Sequence, residues 1–335
     1  MSRQAGGGSG REPGARALES AVERAIARSL PAGHDDPELN RYYGLLREYP
    51  ARVGKRIRAR LTLQSTMAHG SPWQAGLTAA AAIELFQNWV LIHDDVEDDS
   101  DERRGKPTLH RQVGKPLAIN AGDGLHAYMW QLLLGDPDLP AGVLAEFLWM
   151  IHRTSEGQHL DLAWVESGRF DVEEREYLEM VRLKTACYTV VSPLRLGALC
   201  AGRAPAELLT EAGENLGVAF QIRDDILNLT PGAPQGKEFA GDLFEGKRTL
   251  ILAHFFAHAD SFERQQAMDR LTGGRSGRSD DDVHILLDLL AAHGSIAYAQ
   301  QVAEERAELG MSLVRTAMQE TAVQESAMQE KPMQE

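Results

Sequence analysis

A stripe of apolar residues at helical spacing, Leu85, Trp89 and Ile92, runs without a break into the carboxylates Asp94, Asp95, Glu97, Asp98, Asp99, Asp101 and Glu102. Seven of the nine residues from 94 to 102 are acidic. A charge run of that kind is ordinarily a solvated face. This one continues an apolar face, and crowded carboxylates on a half-buried helix repel one another and lose hydration. At about 100° per residue, Asp94, Asp98 and Asp101 share a narrow arc with Asp95 beside it. A hard divalent cation relieves both costs.

A second, weaker copy follows: Phe220-Gln221-Ile222-Arg223-Asp224-Asp225-Ile226-Leu227-Asn228. Both copies start from Phe-Gln (Phe86-Gln87 in the first) and reach Asp-Asp through apolar residues. Opposed across a cavity, two such helices suit several Mg²⁺ ions, because Mg²⁺ takes one or two carboxylates and completes its shell with water and substrate phosphate. Oxygen-only ligands argue against zinc or copper.

Apolar residues recur at spacings of three and four elsewhere, as in Leu144, Leu148 and Ile151, and no segment alternates as a half-buried strand does. Gly70-Ser71-Pro72, Gly135-Asp136-Pro137 and Pro231-Gly232-Ala233-Pro234 are turn signals between helices. The expectation is an all-α chain. It has a disordered segment at 1–15, one large helical bundle around a central cavity at 16–317, and a low-complexity tail at 318–335. That tail repeats Ala-Met-Gln-Glu from Ala317 and reads as a frayed helix or a loose end.

Hydrophobic residues make up 43% and the net charge is -14, which fits a soluble domain and disfavours nucleic acid or an anionic membrane as a general partner. Two cysteines, Cys187 and Cys200, give no disulfide framework and point to a reduced, cytoplasmic setting. The first residues have no apolar run and do not read as a secretory signal. The most apolar segment, Ala79 to Ile92, is broken by Glu84, Gln87 and Asn88 and is too short for an integral membrane segment.

Cations stand in compact groups: Gly54-Lys55-Arg56-Ile57-Arg58, Arg103-Arg104-Gly105-Lys106, Lys184-Thr185, Lys237, and Gly246-Lys247-Arg248-Thr249. Any one of them is ordinarily a surface ion pair worth about 0–1 kcal/mol. Together with the acidic helices they describe two diphosphate sites, one bridged to protein by metal and one held by cations alone.

With these residues in order, the sequence resembles the trans-polyprenyl diphosphate synthases, the family of farnesyl and geranylgeranyl diphosphate synthases. Asp94-Asp95-x-x-Asp98 with Arg103-Arg104-Gly105 is similar to the family's first aspartate-rich motif, and Phe220-Gln221-x-x-Asp224-Asp225 to the second. The resemblance implies an isoprenoid synthase-like fold and a homodimer. It implies that three Mg²⁺ ions are held by Asp94, Asp95, Asp98, Asp224 and, less firmly, Asp225. It places Arg103, Lys184, Thr185, Gln221, Lys237 and Lys247 on the allylic diphosphate (dimethylallyl, geranyl or farnesyl). It places Lys55, Arg58, Gln87 and Arg104 on isopentenyl diphosphate, with Gln158 and Asp161 matching a further family pattern. Catalysis would rest on Asp94, Asp95, Asp98, Lys184, Thr185, Gln221 and Asp224. The sequence departs from the family at Gln87, where many members carry histidine, at Ala59 for a frequent proline, and at Asn228 for the last aspartate of the second motif.

Trp89 lies five residues before Asp94, about 7.5 Å along the axis, and Phe86 about 12 Å before it. Trp89 is the expected floor under the growing chain, with Phe86 as much a core aromatic as a floor. The expected product is C20 (geranylgeranyl diphosphate) or C15 (farnesyl diphosphate). The competing readings are a class I terpene cyclase, which needs no second diphosphate site, a non-catalytic subunit of a heteromeric synthase, and an HD-type phosphohydrolase built on His93-Asp94 with His69 and His110.

Overall fold

The computed structural model describes residues 14–52, 54–232, 239–272 and 277–329, with side chains up to residue 320. Of the segment expected to be disordered, only Gly14 and Ala15 fall within it, and a helix begins at Ala15.

The chain is helical nearly throughout, as its spacing predicts. Its centre is the helix Leu77–Glu97, whose opening Ala79-Ala80-Ala81-Ala82 combines high helix propensity with complete burial. Small side chains let neighbours approach from all sides, and the helices Ala15–Ser29, Ile57–Ala68 and Lys115–Leu134 pack around it. This core is longer than the apolar segment read from sequence: Trp73–Glu97 is long and apolar enough by composition to cross a membrane, and here it is largely buried inside the protein.

A second acidic helix, Glu207–Asn228, packs between the long C-terminal helix Ser295–Gln329 and a π-helical stretch, Arg182–Val191. The C-terminal helix carries the Ala-Met-Gln-Glu repeat as regular helix as far as Gln329. The π stretch lies in one continuous run with Glu174–Val181 before it and Ser192–Cys200 after it. Wide turns of this kind are rare and collect at functional sites. Two glycines let neighbouring helices close on it. A Cβ at Gly157 would come within 2.2 Å of the Lys184 nitrogen, and one at Gly217 within 2.4 Å of Ala186 Cα.

Two apolar cores result. One gathers Leu46, Leu63, Phe86, Phe147 and Leu196, the other Tyr177, Ile222, Leu252, Phe255 and Leu286.

One departure from an all-helical reading is a hairpin of two-residue strands, Glu102–Arg103 and Lys106–Pro107. Its two turn residues, Arg104 (φ 55°) and Gly105 (φ 71°), are both left-handed, as a tight two-residue hairpin loop requires. Cys187 and Cys200 are free and buried, with no disulfide between them.

Candidate active site

A cavity of about 270 Å³ opens at the seam between the two cores. Val90 and Leu91 reach it from the first acidic helix, Phe220 from the second, and Tyr188 from the π stretch. Its polar wall divides by charge.

Part of the lining interleaves carboxylates and cations. Asp94, Asp161, Asp224, Asp225 and Asp242 belong to it. Lys184 Nζ lies 2.5 Å from Asp161 and 3.3 Å from Asp94. Lys247 Nζ lies 2.6 Å from Asp98 and 2.9 Å from Glu245. Burial works to lower both ammonium pKa values, but these carboxylates outweigh it and hold them above the ordinary range. Thr185 donates to Gln221 Oε1 (2.9 Å), Gln221 Nε2 donates to Asp225 Oδ1 (2.7 Å), and the Tyr177 hydroxyl donates to Asp225 Oδ2 (2.8 Å). The close packing at Gly157 and Gly217 is what brings Asp161 to Lys184 and Gln221 to Thr185.

The lining also holds Arg58 and Arg104. Neither has a carboxylate within 4 Å among the described residues. Burial lowers the Arg104 pKa, and the neighbouring Arg56, Arg103 and Arg58 lower it further, against the pull of Glu84. The Arg104 guanidinium rests on Gly54, where a Cβ would sit 3.2 Å from it. The hairpin explains why adjacent arginines part company: Arg103 turns to Asp95 and Asp94, Arg104 to Gly54 and the arginine-lined wall.

Several expected residues stand elsewhere. Asp95, expected to bind metal, does not line the cavity. It is buried and takes a 2.5 Å hydrogen bond from Tyr49 and two from Arg103, so its oxygens hold that arginine in place. The helix ends at Glu97, so the predicted arc of Asp94, Asp98 and Asp101 fails at its last member. Asp101 lies beyond the helix and pairs with Arg111. Asp98 lies just outside the described cavity lining, behind Lys247. Lys55 is exposed and also stands off the cavity. Gln87 lines it. Gln158 donates to Glu97 (2.6 Å), beside Asp94. Lys237 lies outside the described residues. Trp89 and Phe86 do not line the cavity. The Trp89 indole fills the gap to helix Lys115–Leu134, stacked on His126 at 4.4 Å, and Phe86 is core. The wall nearer the aspartates is Val90 and Leu91.

Other residues escaped the sequence reading. Glu84, buried on the central helix, pairs with Arg56 at 3.4 Å and accepts the Ala59 N–H, capping helix Ile57–Ala68 from outside. Arg56 is therefore a strut, while Arg58 two residues on faces the cavity. Asn228, in place of an aspartate, accepts the Asp242 N–H (3.1 Å) and so sets a carboxylate from another segment on the wall. Tyr49 and Tyr177 had no local signal, since their aspartate partners are 46 and 48 residues away.

The histidines expected of an HD-type hydrolase do not assemble. His93 faces Asp123, and His69 bonds back to Ser65. Among the described residues no three His, Cys, Asp or Glu side chains form a ready cage for a metal. The donor set still fits Mg²⁺, which takes few carboxylates and leaves the rest of its shell to water and phosphate. Burial pushes the carboxyls of Asp98 and Asp225 well up, against the pull of Lys247 on the first and of hydrogen bonds on the second. Sites that disfavour their own ionised form in this way are ones a divalent cation stabilises.

The model of the family "Polyprenyl synthetase" matches residues 40–290. The geranylgeranyl diphosphate synthase of Sulfolobus acidocaldarius is 35% identical over 260 residues, 75% of this chain and 77% of that one. The geranylfarnesyl diphosphate synthase of Natronomonas pharaonis is 34% identical over 304 residues, 84% of this chain and 85% of that one. A geranylgeranyl pyrophosphate synthase from Corynebacterium glutamicum, solved with isoprenyl diphosphate and magnesium, superposes with a TM-score of 0.79 at 28% identity, covering 91% of this chain and 97% of that one.

Proposed function

This chain belongs to the polyprenyl synthetase family and is a prenyltransferase, and we propose that it joins isopentenyl diphosphate to dimethylallyl, geranyl or farnesyl diphosphate and releases pyrophosphate. The observation that carries the reading is the division of one cavity lining: among the described residues Arg58 and Arg104 make no ion pair, whereas the acids and lysines beside them neutralise each other. A diphosphate gripped by cations alone suits the first half, and a metal-bridged diphosphate the second. A terpene cyclase has no use for the first half.

Asp94, Asp98 and Asp224, with Asp225 and Asp242 close by, would hold three Mg²⁺ ions, and bound metal would supply the charge neutralisation that makes the allylic diphosphate a leaving group. Lys184, Lys247 and Arg103 then exchange part of their aspartate pairing for phosphate oxygens as the C–O bond breaks. Arg58 and Arg104, with Lys55 closing from outside, orient isopentenyl diphosphate so that its double bond attacks the allylic cation. Thr185, steadied by Gln221, lies beside the reacting carbon, and the departing pyrophosphate takes the proton that is lost. Val90, Leu91, Phe220 and Tyr188 keep water from the cation. Asp95 acts at one remove, by fixing Arg103. The product we favour is geranylgeranyl diphosphate, and the working form is a cytoplasmic homodimer.

The test is purified protein with Mg²⁺, radiolabelled isopentenyl diphosphate and each allylic primer, with products sized by chromatography. Condensation products of C15 to C20 are expected. Release of pyrophosphate without incorporation of label would instead mark a cyclase or hydrolase.

A further inference from the structure

Arg58 is an arginine held from the side by residues no motif marks. Its guanidinium carbon lies 4.3 Å from the centre of the Tyr188 ring, and its Nη2 donates a 2.7 Å hydrogen bond to Thr189 Oγ1. All three side chains are buried, Thr189 completely. The Tyr188 ring is itself braced edge-on against Phe86 of the central helix at 5.5 Å. Thr189 is 131 residues from Arg58 in sequence, so only the fold unites them.

A guanidinium carries five N–H donors in a planar fork. Thr189 takes one, and Arg58 Nε is buried with no partner among the described residues. The fork is thus clamped through its ring face and one corner while donors remain for a ligand in the cavity Arg58 lines. An arginine left to itself spreads over many rotamers, and fixing it on binding weakens the complex. A clamp made beforehand removes that loss.

We propose that Tyr188 and Thr189 are positioning residues that aim Arg58 at the diphosphate of isopentenyl diphosphate. The inference rests on the reading of Arg58 as a contact to that substrate. It gives the π stretch a double task. Lys184 and Thr185 serve the allylic side, and four residues on, Tyr188 and Thr189 set the other side. One rigid element thereby fixes both substrates relative to each other.

The test is steady-state kinetics on the full chain with Mg²⁺ and farnesyl diphosphate, varying each substrate in turn, for Arg58→Gln, Tyr188→Leu, Tyr188→Phe and Thr189→Val. Tyr188→Leu is expected to raise KM for isopentenyl diphosphate about tenfold by removing the cation–π face. Thr189→Val, which keeps the volume and loses the hydroxyl, raises it about fivefold. Tyr188→Phe keeps the face and stays within about twofold. KM for the allylic substrate moves less than about twofold in each, and Tyr188→Leu adds little on top of Arg58→Gln, because the two act through one group. If Tyr188→Leu does not fold by circular dichroism, Thr189→Val with the same double variant decides the matter. Should Arg58→Gln raise that KM while Thr189→Val and Tyr188→Leu leave it alone, or raise both KM values equally, the positioning role is wrong. A flat response to Arg58→Gln itself removes the assignment of Arg58, and this inference with it.

Discussion

Asp95 shows how a motif residue can serve by holding another. Its two oxygens are shared between the Tyr49 hydroxyl and the Arg103 fork, and the side chain is buried off the cavity wall. Tyr49→Phe removes a hydrogen bond to a charged acceptor and should lower unfolding free energy by about 1.5–3 kcal/mol, read from urea denaturation. An unchanged midpoint would mean that Tyr49 is idle. The sequence made Asp94, Asp95 and Arg103 visible, because charge on an apolar helix is locally anomalous. It hid Tyr49, Tyr177 and Glu84, because a buried tyrosine or a lone glutamate is unremarkable until its partner, dozens of residues away, is placed beside it. Asp98 and Asp225 make a pH prediction. Burial raises both carboxyl pKa values, so near neutrality the metal-free site retains protons that an ordinary aspartate has lost. Mg²⁺ binds the ionised form and must displace them, so its affinity rises with pH. The thermal stabilisation given by a fixed Mg²⁺ concentration should be larger at pH 8 than at pH 6. The opposite order would contradict the direction of these shifts.

At the scale of elements, the π stretch and the glycines that face it decide the geometry. Gly213, Gly217, Gln221 and Asp225 fall four apart on one helix face, two small residues and then two polar ones, so the contact that packs the helix also delivers its chemistry. That row was readable in the sequence, but the wide turns it packs against were not, because Lys184 to Val191 has the spacing of an ordinary apolar helix. Gly217→Ala places a methyl within 2.4 Å of Ala186 Cα. The forced separation should cost about 1–3 kcal/mol and reduce turnover through displacement of Thr185, measured as a melting temperature and a kcat on the same preparation. Trp89 stacks on His126 of the neighbouring helix instead of capping the cavity. Trp89→Ala opens the space between helices Leu77–Glu97 and Lys115–Leu134, and longer products are expected by chromatography. If the product distribution stays as it was, Val90 and Leu91 set the limit.

For the whole molecule, the site lies between two apolar cores, and charged side chains bridge the seam. Lys247 reaches Asp98 at the end of the central helix, and Ser100 donates to Glu245 across 145 residues of sequence. A ligand that replaces these bridges ties the halves together more firmly, so Mg²⁺ with inorganic pyrophosphate should raise the calorimetric melting temperature by more than the sum of the two separate shifts; a single ligand at a hundredfold excess over Kd stabilises by about 2.7 kcal/mol. Strictly additive shifts would show that metal and anion bind apart. Fold class and a cavity lined by both Asp94 and Asp224 followed from periodicity and from the two acidic helices. Which residues would face that cavity and which stand behind it did not, because the five residues from Trp89 to Asp94 carry the helix about 140° past a full turn, which puts Asp94 on the wall and Trp89 off it. The hairpin at Glu102–Pro107 meters the chain in single residues: the backbone reverses through Arg104 and Gly105, so neighbours in sequence part, Arg103 to Asp94 and Asp95 and Arg104 to Gly54. Any descendant that gains or loses one residue in that loop forfeits both grips at once, so there it is the length of the loop, more than its composition, that must be inherited.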